Sequence, residues 1–176
     1  SYTRILGEQL MEDYSEYNLT SKQLNVIVSA SALHDVGKIA IPDSILLKPG
    51  RLTKEEFEFM KEHTTKGCEI INNIRGVWSE EYARASYEIC RHHHERYDGR
   101  GYPDGLLGEN IPISAQLVAV ADVYDALVNE RVYKSAFSAD KAFNMIINGE
   151  CGTFSPKLMD CFTKCRDRFE SLAGEQ

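Results

Sequence analysis

Apolar residues recur at intervals of three and four along almost the whole chain, and no segment alternates apolar with polar residues as a half-buried strand does. That periodicity confines the chain to helices packed on helices. Tyr2, Leu6, Leu10 and Tyr14 form one stripe, under way from the first residue. Leu24, Ile27, Val28 and Ser31 form a second, opened by the capping-box pair Thr20 and Gln23. A third helix is expected behind Thr53 and Glu56, with Phe57, Met60 and His63 on one face. Gly67, Ile70 and Ile71 continue into a further short helix. Others are expected over about 80–94, 114–128, 138–148 and 155–172, the last with Ser155 as cap and Pro156 at its first position. Between 95 and 112 lies a loop whose glycines and prolines mark ordered turns. No internal repeat is present, and the fold class is all-α, a bundle of about seven helices.

The 176 residues fit one domain, and 43% apolar content is ample for a core. With 20 Lys+Arg against 27 Asp+Glu the net charge is -7, which argues against DNA or RNA polymers and anionic membranes as partners. An anionic substrate would need a local basic patch. No apolar run approaches the roughly 20 residues of a membrane span, and no signal-peptide pattern opens the chain. The 5 cysteines are odd in number and form no CxxC pair; Cys161 and Cys165 lie on an apolar stripe as reduced thiols. A cytoplasmic location is expected, with any membrane anchor of a longer parent lying upstream.

Against this background the 5 histidines are concentrated between 34 and 94. His34 and Asp35 are adjacent, offering one nitrogen and a carboxylate that can bridge two cations. His63 follows, then His92, His93 and His94. Consecutive helical residues point about 100° apart, so three histidines in a row cannot face one site equally. His93 continues the row Tyr82, Ser86, Ile89, and His94 the row Ala83, Tyr87, Cys90, whereas His92 continues the wetter row Glu81, Ala85, Glu88. His93 and His94 are therefore the expected ligands. In LVAVADVYDAL, Asp122 and Asp125 sit three apart in an apolar helix, where a buried carboxylate needs a cation or strong hydrogen bonds. Asp122 suits a metal, with Asp125 supporting the site or capping backbone amides. Each residue alone has an ordinary explanation, as a half-buried histidine or a solvated charge. Together they would require several ligand-type side chains to fall by accident on the inward rows of four helices.

The stretches HDVGKIAIPDSILLKPGRLTKEEFEFMKEH, HHERYDGRGYPDGLLGENIP and LVAVADVYDALVNERVYK, spanning roughly 30–140, resemble the HD-GYP branch of the HD-domain phosphohydrolases. The resemblance implies a helical bundle with two or three divalent metals, usually iron or manganese. It implies hydrolysis of cyclic di-GMP to the linear dinucleotide or GMP in bacterial signalling, some members preferring cyclic GMP-AMP. By position it implies His34, Asp35, His63, His93, His94 and Asp122 as metal ligands, with Asp35 bridging. Lys38, Arg131 and Lys134 correspond to phosphate-contacting residues, and Gly101, Tyr102 and Pro103 to the naming segment.

In a phosphodiesterase of this kind Asp35 would hold the metals together and Lys38 would meet the phosphate charge, the two acting as the catalytic pair. Arg131 can grip phosphate in a bidentate way. Tyr102 offers a flat surface for a base, while its loop either walls the pocket or docks a protein partner. The family places a further histidine on its first helix, and none occurs here before His34. That ligand is expected upstream of Ser1, together with a sensor or receiver module, leaving this chain truncated within its first helix and short of a metal ligand. A catalytically silent module that binds nucleotide or protein is the second reading. Near the last helix the family's GTHFDP is replaced by GTFSP, which is remote from the ligands.

Overall fold

The computed structural model describes residues 1–131 and 135–175. Its elements are helical, and no strand is formed among the described residues, where an isolated antiparallel bridge joins Asp98 and Leu107. Helix α1 (Tyr2–Asp13) is capped by Ser1, and α2 (Ser21–Ala30) by Thr20 in a full capping box with Gln23. The chain then passes through 3-10 turns at Ser31–Leu33 and Val36–Ala40 and the short α3 (Asp43–Leu46). Next come α4 (Lys54–Lys61), with the Thr53–Glu56 capping box, α5 (His63–Ile74), and α6 (Glu80–His92), capped by Ser79. After the long loop follow α7 (Ile113–Val128), α8 (Ala139–Ile147), α9 (Pro156–Lys164) and α10 (Arg166–Gly174).

Three local features differ from the periodic reading. His63 does not sit on the helix of Phe57 and Met60; the backbone tightens at Glu62, whose N–H reaches the Phe59 and Met60 carbonyls, and a new helix starts at His63. Helix α6 ends at His92, so His93 is its C-cap and His94 lies in the following turn. The last helix breaks at Cys165 into α9 and α10, which lets Phe169 fold back beside Phe162.

Helix α7 divides the molecule. It is buried almost all round, as an apolar helix must be. One side, with Leu117, Val120 and Tyr124, enters a cluster with Leu6, Leu10, Phe143, Leu158, Phe162 and Phe169 from α1, α8, α9 and α10. Val118 joins Ile27, Ala30, Ala85 and Ile89 of α2 and α6 instead. Asp122 is thereby carried to the junction of the two packing units. Among the described residues no helix is long and apolar enough to cross a membrane.

Candidate metal centre

His34 and Asp35 stand where α2 has given way to 3-10 turns, and Asp35 adopts the bridge conformation (φ -104°, ψ 11°) common at functional sites. What seats this segment is glycine. A Cβ on Gly37 would strike the His63 carbonyl and the Gly67 amide, and one on Gly67 would strike the Cys90 sulfur. Two missing side chains let the 3-10 turn lie directly on α5, and so set Asp35 against His63.

Three imidazoles share one orientation. Nδ1 of His34 lies 2.7 Å from the Ser31 carbonyl, that of His63 2.7 Å from the Met60 carbonyl, and that of His93 3.0 and 3.1 Å from the Ile89 and Cys90 carbonyls. A carbonyl accepts only, so each Nδ1 carries a proton, and in a neutral ring the Nε2 is left with its lone pair. Those Nε2 atoms converge on Asp35: His63 and His93 at 3.4 and 3.6 Å from Oδ1, His34 at 3.3 Å from Oδ2. His34 Nε2 is also 3.3 Å from Asp122 Oδ1. The His63 and His93 Nε2 atoms face each other at 3.5 Å, two acceptors that a cation between them would reconcile. A backbone carbonyl behind each ligand imidazole is the usual outer support of a metal site. Among the described residues three sets could hold an ion: Asp35, His63, His93 and His94; His34, His93 and Asp122, which overlaps the first; and, apart from both, His92, Glu95 and Asp104. His93 belongs to both overlapping sets, Asp35 belongs to the first and lies 3.3 Å from His34 of the second, and this donor set of nitrogen and carboxylate oxygen fits divalent transition metals.

The charges agree with that geometry. Burial works to raise Asp35, but the surrounding imidazoles, His34 first among them, outweigh it and hold the carboxyl far below the usual range. Burial opposes charge on His34 as well, and there Asp122 and Asp35 prevail, lifting its pKa to about 10. Burial, then the neighbouring His93 and His63, pushes His94 down to about 2, so it is a neutral donor. Two carboxylates thus draw a proton onto His34, a position a divalent cation would contest, because a ligand imidazole binds in its neutral form. Burial and the Asp122 charge raise Asp125, which accepts from the Asn129 side chain at 3.0 Å. Asp122, Asp125 and His34 open onto a pocket of about 290 Å³ that Ser1 and Thr3 also line.

The remaining expected residues are distributed unevenly. Lys38 donates to Asp35 Oδ2 at 2.7 Å, so Asp35 presents one oxygen to His63 and His93 and the other to His34 and Lys38. Arg131 is exposed beyond α7 and acts electrostatically on Asp125. Lys134 lies outside the described residues. Tyr102 stacks on His94 with centroids 4.8 Å apart, so its ring walls the cluster. The close approach made by Gly101 is to the backbone of His94–Arg96, where a Cβ would not fit. His92 stands apart: its Nδ1 lies 3.5 Å from Asp104 and makes no hydrogen bond.

Glu95 was not singled out in the sequence. It is buried, and its two carboxylate oxygens accept from the Asp104 and Leu106 amides at 2.7 and 2.9 Å, pinning the loop that carries Tyr102. The ligand row's last turn is pinned too, because Arg96 donates to the His93 and Glu95 carbonyls and lies over Phe154. Only the step from helix to loop after HHH hinted at these roles.

A family model described as HD domain matches residues 5–158. A cyclic di-GMP phosphodiesterase of Vibrio cholerae is 43% identical over 176 residues, covering 98% of this chain and 36% of that protein. A 3'3'-cGAMP-specific phosphodiesterase of the same organism is 40% identical, covering 89% of this chain and 29% of its own length. The chain thus spans about a third of the length of these relatives. Among solved structures, an HDG"Y"P protein from Bdellovibrio bacteriovorus superposes with a TM-score of 0.65 at 17% identity, covering 94% of this chain and 50% of that one, a likeness of fold.

Proposed function

This chain belongs to the HD-domain family of metal-dependent phosphohydrolases, and from that premise we propose that it hydrolyses cyclic di-GMP at a centre of two or three divalent ions, iron or manganese. The observation that carries the reading is the convergence of three carbonyl-oriented Nε2 atoms on the two oxygens of Asp35. His34, Asp35, His63, His93, His94 and Asp122 would hold the metals, with Asp35 the carboxylate that could join them. When bound, the cations supply an activated water and neutralise the phosphate oxygens. Asp35 would hold them together, and its contact with Lys38 sets an ammonium beside the place the phosphate would take. Arg131 adds charge at the outer edge, and Lys134 is assigned to phosphate by resemblance; a chain of net charge -7 needs such a basic patch for an anionic substrate. Tyr102 closes one wall, its ring stacked on His94.

A relative specific for 3'3'-cGAMP at 40% identity makes that dinucleotide the second candidate substrate. The test is elemental analysis after anaerobic purification, followed by turnover of both dinucleotides. We expect two or more transition-metal ions per molecule, activity lost on chelation, and Lys38→Ala or Arg131→Ala lowering turnover by about 100-fold with the metals retained. Folded protein that takes up no metal, or metal-loaded protein that leaves both substrates intact, would overturn the reading.

A further inference from the structure

Lys61 ends α4 beside the outer wall of the centre, and its surroundings are unlike those of an ordinary surface lysine. Its ammonium lies 5.1 Å from the Phe57 ring centroid and 5.4 Å from that of Tyr102. The two rings meet edge to face at 6.3 Å, and Tyr102 also stacks on His94. A continuous path of rings therefore runs from a candidate ligand outward to Phe57, which is 45% exposed. Tyr102 is held by its backbone: its N–H donates to the His94 carbonyl at 3.3 Å, and Gly101 packs where no side chain fits. The path is rigid up to its exposed end. There the partner of Lys61 is Glu58, at 2.8 Å, whose side chain is 60% exposed. Such exposed pairs hold weakly and yield to a better acceptor.

Resting on the reading of a cyclic dinucleotide substrate, we infer that Phe57 and Lys61 form a base-reading subsite that selects guanine. The exposed face of Phe57 receives a purine by stacking, which is tolerant of base identity. Lys61 supplies the discrimination. A guanine edge presents two acceptors, O6 and N7, to an ammonium, whereas adenine puts an amino donor where O6 would be. Donor would then face donor, and the adenine base would lose the contact. The lysine reaches the base, while Lys38 and Arg131 serve the phosphate, so the two kinds of charge have separable effects.

The experiment compares kcat/KM for cyclic di-GMP and cyclic di-AMP in the metal-loaded protein, with metal content measured for each variant. Lys61→Met is expected to lower the cyclic di-GMP to cyclic di-AMP ratio by about tenfold, with metal content unchanged, and Lys61→Arg to restore it, since arginine also reads O6 and N7. Phe57→Ala is expected to raise KM for both substrates by about tenfold and leave the ratio alone. Equal losses on both substrates in Lys61→Met would overturn the inference by making the lysine a general phosphate or structural contact. Loss of metal in that variant would overturn it too, by tying Lys61 to His94 through Tyr102. A wild-type protein that turns over no cyclic dinucleotide would instead bring down the parent reading, a result seen before any variant is made.

Discussion

Two clusters of rings lie on opposite sides of α7, with similar spacings and opposite chemistry. In one, Tyr2, Tyr124, Phe143, Phe162 and Phe169 meet with centroids 4.7 to 6.0 Å apart. In the other, His34, His63, His93 and His94 meet at 4.1 to 5.5 Å. The first cluster gains from every contact, because edge-to-face and offset rings attract and their area leaves water. The second turns lone pairs inward and needs carboxylates, protons or cations to hold it. The first is a source of stability, and the second is the candidate site for chemistry.

The largest effect should separate them. Phe162→Ala, a truncation at a fully buried site, is expected to cost about 3–5 kcal/mol in denaturant unfolding. Metal content per folded molecule should not change. A proportional loss of metal would show that the aromatic half shapes the histidines and would break the comparison. From the other side, saturating manganese(II), at about 100 times its dissociation constant, should stabilise the wild-type protein by about 2.7 kcal/mol. Asp35→Asn should abolish that gain while leaving the metal-free protein folded, because Asp35 touches the imidazoles and Lys38 and none of the aromatic cluster. A variant that still gains stability from manganese would remove Asp35 from the centre. Glu95→Gln is expected to cost about 2 kcal/mol, since an amide nitrogen would replace one of the two oxygens accepting from Asp104 and Leu106. Faster hydrogen exchange at the Leu106 amide is the readout, and unchanged exchange would separate Glu95 from loop order.

The two halves were unequally legible in the sequence. Helix stripes such as Tyr2, Leu6, Leu10 and the caps Thr20, Thr53 and Ser155 are local patterns, and they appear as written. The all-α class followed from them. The break at Glu62 is different: Phe57, Met60 and His63 keep helical spacing across it, so periodicity gives no sign of a new helix. Gly37, Gly67 and Glu95 were illegible as site residues because their roles are contacts between segments far apart in the chain, which no window of sequence contains. Arg131 and Lys134 were named only by resemblance, and geometry adds an exposed position for the first alone.

The smallest expected effect is the sharpest test of the second cluster. His92 adjoins His93 in sequence and would contribute to any site that merely gathers histidines. Its ring, however, leaves α6 toward Asp104 and Glu95, 3.5 and 3.9 Å away, and no hydrogen bond satisfies its Nδ1. Asp104 is already engaged by Arg91 through two 2.8 Å bonds, and Glu95 by two loop amides, so neither carboxylate depends on His92. Burial pushes the His92 pKa down, which leaves the ring neutral and its pull on those carboxylates weak. His92→Ala should therefore change stability by no more than about 1 kcal/mol and leave metal content intact. His93→Ala, which removes the residue shared by the two overlapping ligand sets, should lose most of the bound metal. Equal metal loss in the two variants would mean that α6 presents its last turn differently from the arrangement described, and the sorting of the three histidines by helical direction would fail with it.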